Sequence, residues 1–107
     1  MSKRIFVPLA SEPFWRFVAG TKTFEVRAAN SPVGRKVRKS SPGAEVLLRR
    51  GYSTPDELLR HLGAVFVAAN WDALPEVARR GADRRPEDAP GRYYDPSSEV
   101  VAFECLA

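Results

Sequence analysis

The sequence predicts an α+β fold, a small twisted β-barrel with short flanking helices. Three observations point there. With 107 residues, 44% of them hydrophobic, the chain holds enough apolar matter for one core and one domain spanning residues 1–107. Segments rich in β-branched and aromatic residues dominate and do not alternate with long helices, which argues against a doubly wound sheet. Seven glycines and nine prolines punctuate the chain often enough to keep every element short.

The first predicted strand is residues 3–7, within KRIFVPL. Ser11 can cap a helix through SEPFWRFVAG, with Pro13 tolerated in its first turn and Gly20 ending it. Phe14, Phe17 and Val18 then share an inward face, with Trp15 beside it. TFEVRAA follows as a strand whose alternation puts Phe24 and Val26 on one face and Thr23, Glu25 and Arg27 on the other, away from the hydrophobic layer. NSPVGRKVRKSSPG is expected to be a basic loop, and AEVLLRRGY a strand. Thr54 and Pro55 predict the start of a short helix, PDELLRHLG, before a buried strand, AVFVAA. A further short helix is expected in DALPEVARRG, where Pro75 is confined to the early turns. Residues 81–98 read as a loop, and EVVAFECL closes the chain as a strand.

Composition excludes several chemistries. The single cysteine, Cys105, sits in an apolar run, so no internal disulfide forms and burial is expected. His61 and Cys105 alone make no zinc site, and no metal-binding, P-loop or dinucleotide motif appears, so neither metal nor cofactor is expected. No run approaches the ~20 apolar residues of a membrane span, and no membrane partner is expected. MSKRIFVPLA lacks the pattern of a secretory signal, which gives a cytoplasmic expectation.

Charge is unevenly placed. Residues 1–50 carry eleven Lys or Arg against three acids, whereas residues 51–107 carry six against ten. A basic half is what a polyanion-facing surface needs. Within it, Lys22, Thr23, Glu25 and Arg27 fall in eight residues, GTKTFEVR. A lysine there can serve as a point charge for phosphate while arginine forks onto phosphate or a base edge. A desolvated lysine beside a carboxylate can instead act as base or nucleophile, with Glu25 or the helix-borne Glu76 handling the proton. A solvated ion cluster at a strand end satisfies the same spacing. Arg35, Lys36, Arg38 and Lys39 are candidates for phosphate contacts. Arg50 with Tyr52, and Tyr93 beside Arg92, offer cationic and aromatic groups that can stack on unpaired bases.

The element formed by Gly20, Lys22, Thr23, Glu25 and Arg27 resembles the signature of ASCH domains, part of the PUA-like superfamily. The likeness continues through PGAEVLLRRG, where Gly43-Ala44-Glu45 replaces the Gly-Asp often found there, and into YYDPSSEVVAFECL. It implies a small β-barrel with a cleft bordered by the lysine-bearing segment, and an RNA-related role. Some small ASCH proteins are amidohydrolases on acetylated cytidine, using a lysine and a threonine of this segment with a distant glutamate. Lys22 matches that lysine, Glu25 stands in the threonine's place, and Glu76 is the candidate for the glutamate. Other relatives cleave RNA with a lysine, a tyrosine and a serine. The expectation is therefore an RNA-binding module recognising RNA or a modified nucleoside. Its rivals are a metal-independent hydrolase and a regulatory protein-interaction domain.

Overall fold

The computed structural model describes residues 4–83 and 98–107. Its elements are β1 (Ile5–Leu9), α1 (Ser11–Ala19), β2 (Phe24–Ala28), α2 (Pro32–Arg38), β3 (Glu45–Arg50), β4 (Glu57–Ala68), α3 (Glu76–Ala82) and β5 (Val100–Leu106), with a single 3-10 turn at Trp71–Ala73. The five strands form one sheet in the order β1-β3-β4-β5-β2. Only the β1–β3 pair is parallel. The sheet curls as a half-barrel with β1 and β2 at its edges, an α+β architecture.

Period-two burial along the strands sorts their side chains into two cores. Ile5, Val7 and Leu9 of β1, Val46 and Leu48 of β3, Leu62, Val101, Phe103 and Cys105 pack beneath Phe14 and Phe17 of α1 and Val33 and Val37 of α2. On the other face, Phe24, Val26, Val100 and Ala102 meet Trp71, Leu74 and α3, which contributes Ala78 and Ala82. Strand β2 is thus buried on both faces. The side of β2 carrying Glu25 and Arg27 was expected to point away from the hydrophobic layer; it faces the larger core, opposite Phe103 and Val101 of β5.

Two elements depart from the sequence reading. PDELLRHLG is not a helix: Glu57–Ala68 is one long strand, absorbing AVFVAA. Its first part pairs with β3, through Glu57↔Arg49 to His61↔Glu45, and a bulge between Leu62 and Val65 then passes it to β5. Sheet pairing on both sides overrides helix propensity here. The basic segment NSPVGRKVRKSSPG, expected as a loop, contains helix α2. The Ser31 side chain accepts from the Gly34 N–H, Pro32 takes the first turn, and Val33 and Val37 anchor one face in the core. Gly34 lets this helix press on the end of β2, because a Cβ there would collide with the Ala28 carbonyl oxygen. No helix among the described residues is long and apolar enough to cross a membrane.

Candidate functional site

Two groupings of polar residues emerge, one inside the fold and one on its surface. The inner one is built on Lys22, Glu25 and Arg27. Lys22 follows the left-handed Gly20 that ends α1, and it is 7% exposed. Its Nζ donates to the Ala82 carbonyl at the end of α3 at 2.7 Å, lies 3.2 Å from Glu25 Oε1, and sits 5.4 Å from the centre of the Phe17 ring. Glu25, 8% exposed, accepts from Arg27 Nε at 2.6 Å on its other oxygen. Arg27 Nη2 donates to the Pro8 carbonyl at 2.6 Å. Because β1 and β2 are opposite edges of the sheet, this bond joins the two sides of the half-barrel. Gly81 keeps Lys22's anchor within reach: a Cβ there would press on Phe24 and on the Thr23 hydroxyl, while its carbonyl accepts from the Thr23 N–H at 2.8 Å.

The electrostatics fit this closed arrangement. Burial pushes the Glu25 carboxyl up, but the charges and hydrogen bonds of Arg27 and Lys22 outweigh it and hold the group below its ordinary value of 4.5. Glu25 is therefore a carboxylate clamped between two cations. Burial pushes the nearby Cys105 thiol far up, helped by the charge of Glu25. No buried side-chain nitrogen or oxygen among the described residues lacks a partner.

Glu76 lies elsewhere. It opens α3, and Ala82 closes it six residues on, about 9 Å along the helix axis. Its carboxylate pairs with Arg80 at 2.5 Å and is largely solvated. It borders an open groove of about 510 Å³ with Trp71, Asp72, Arg79 and Arg80. The structure thus brings Lys22, Glu25 and Arg27 together and leaves Glu76 apart. Thr23 exposes its side chain while its backbone ties β2 to Cys105 and Gly81.

The surface grouping is the outer face of α2. Arg35, Lys36, Arg38 and Lys39 are all exposed. Arg38 lies 3.7 Å from Glu99, whereas Arg35, Lys36 and Lys39 have no acidic partner among the described residues. Arg50, by contrast, is paired with Asp56 at 2.8 Å. Tyr52 is 75% exposed and tilts against Phe6 at 5.9 Å between ring centres. Tyr93 lies outside the described residues. No group of three or more metal-ligating side chains occurs among those described.

The backbone carbonyls of Ala82 and Pro8 are not foreseeable from sequence, because a carbonyl acceptor leaves no trace in residue identity. The helicity of the basic run is signalled there, by the Ser31-Pro32 cap and the Val33/Val37 spacing.

The architecture is that of a known class. A crystal structure of ASCH from Zymomonas mobilis aligns with a TM-score of 0.69 and 18% identity, over 98% of this chain and 68% of that one. The ZmASCH S128A mutant protein from the same organism aligns with a TM-score of 0.71 and 18% identity, over 99% and 69%. No protein-family model and no curated protein matches the sequence. The chain has the fold of an ASCH domain.

Proposed function

We propose that this chain is an RNA-binding module that engages phosphates through α2. The observation that carries this reading is the row of Arg35, Lys36 and Lys39, exposed on an anchored helix with no acidic partner among the described residues. These three break no ion pair with a described residue to meet phosphate, which leaves them available to it. Their helix is capped and core-anchored, so they stand in fixed relation to one another. Lys22, Glu25 and Arg27 support the module from inside, where mutual pairing leaves little of them for an RNA to contact.

The test is a salt titration of single-stranded RNA binding, comparing wild type with R35Q/K36Q/K39Q. The slope of log affinity against log salt should fall by roughly 2, at about 0.7 per lost phosphate contact on a single strand. An unchanged slope and affinity would remove α2 from the interface.

The hydrolase reading, an amidohydrolase on a modified cytidine or a ribonuclease using Lys22 with Glu25 or Glu76, draws less support. The Lys22 ammonium is engaged by a carboxylate, a backbone carbonyl and an aromatic face, and Glu76 sits at the far end of α3. Turnover of acetylated cytidine or RNA that vanishes in Lys22→Met, with the fold retained, would restore it.

A further inference from the structure

Among the described residues, half of the sheet's outer face carries no helix, and only the Tyr52 ring and the Arg49 side chain rest against Phe6 there. Helix α3 covers the β5–β2 side of the outer face, but no described helix lies over the outer side of β1, β3 and the first part of β4. Pairing register aligns three apolar side chains there in one row across the strands: Phe6↔Leu47 and Leu47↔Leu59. Leu59 is 42% exposed, and Phe6 and Leu47 are half-buried. On β3, Glu45 stands two residues to one side of this row and Arg49 two residues to the other. On β4, His61 and Glu57 flank Leu59 in the same way. Each flanking residue therefore lies about 7 Å from the row.

Charge decides what suits this face. Arg4 is bonded to Glu45 at 3.4 Å and Arg49 to Glu57 at 2.5 Å, so two cations are balanced by two anions. A polyanion gains nothing from such a surface, while an apolar stripe with a balanced polar rim is the composition of a protein interface. We propose that the outer face of β1–β3–β4 pairs with the same face of a second copy, about a two-fold axis running along the Phe6–Leu47–Leu59 row. That axis reverses the strand direction of the partner. It sets the apolar row on itself, Glu45 opposite the partner's Arg49, and His61 opposite the partner's Glu57. A two-fold axis along the strands would instead set Glu45 on Glu45 and Arg49 on Arg49, two repulsions. Stacked sheets lie about 10 Å apart, a gap that an arginine and a glutamate reaching towards each other can bridge.

The pattern supplies its own test by light scattering coupled to gel filtration, at roughly 100 µM, suited to an interface at the small end of the range. Wild type should run at twice the monomer mass, and Leu59→Asp at the monomer mass. Glu45→Arg and Arg49→Glu should each be monomeric alone, with unchanged far-UV circular dichroism. An equimolar mixture of those two should recover a dimer, because each then meets the opposite charge. A monomeric wild type, a dimer that persists in Leu59→Asp, or a mixture that stays monomeric would each overturn the proposal. So would a wild type that is monomeric yet loses single-stranded RNA affinity in Leu59→Asp, since the face would then be a nucleobase platform.

Discussion

Replacing Glu25 with glutamine tests whether the inner network holds the half-barrel together. The wild-type carboxylate balances Lys22 Nζ at 3.2 Å and Arg27 Nε at 2.6 Å, all three groups being largely withdrawn from water. Removing one partner of a buried ion pair costs about 3–5 kcal/mol, because the remaining charge stays buried. Glutamine keeps one carbonyl acceptor, which places the expected loss near the lower figure. For a domain of this size, with about 2.1 cal/mol/K of unfolding entropy per residue, that corresponds to roughly 13 °C or more in Tm. Thermal and denaturant unfolding by circular dichroism would measure it. Adding Lys22→Met should recover part of the loss, since one uncompensated ammonium is removed. A Glu25→Gln variant within ~1 kcal/mol of wild type would refute the reasoning, because that is the worth of an exposed pair.

Further expectations follow from the same packing. Since the folded Glu25 carboxyl lies below 4.5, its stabilisation is full above the unfolded value and is lost as pH falls through 4.5 towards the folded value. Acid unfolding of wild type should be steeper in that window than that of Glu25→Gln. Gly34→Ala should cost about 1–3 kcal/mol by pushing α2 off the Ala28 carbonyl, read by denaturant unfolding. Phe103→Ala, at a fully buried position in the larger core, should cost about 3–5 kcal/mol in the same assay. Cys105 should resist thiol reagents at neutral pH until the chain is unfolded, because burial holds its thiol protonated.

Much of the fold was legible where local chemistry and tertiary context agree. Pro13 and Gly20 bracket α1 as first-turn and terminator chemistry requires, whereas Ser11 is the first helical residue rather than its cap: Ala10 holds the cap position and no side chain bonds there. The alternation of FEVRA correctly separates Phe24 and Val26 from Glu25 and Arg27. The segment ELLRHLG was misread because two periods fit it. Leu58, Leu59 and Leu62 make a helical stripe, yet Leu58 and Leu62 also share one face of a strand while Leu59 takes the other. Only pairing with β3 chooses between them. In NSPVGRKVRKSSPG the clustered charges fit a solvated loop as well as a helix, and the cap with the i, i+4 valine pair decides for the helix.

The site shows the same division between what alternation can fix and what it cannot. Alternation assigns Glu25 and Arg27 to one face of β2, but not what that face meets. A sheet curled so that β2 approaches β1 turns it into core, and residues that look ready for a ligand are consumed in closing the barrel. The cations of α2 illustrate the converse. Their availability rests on their having no acidic partner among the described residues, and distance between remote segments is what a linear sequence does not carry. Two surfaces of opposite character result: a basic helix over one side of the sheet and a charge-balanced apolar row on the other. If the paired copies meet through the balanced row, as the register permits, both α2 helices remain on the outward sides of the dimer. An RNA long enough to reach both would then bind more tightly than one that reaches a single helix, and Leu59→Asp should abolish that length dependence while leaving short-RNA affinity intact.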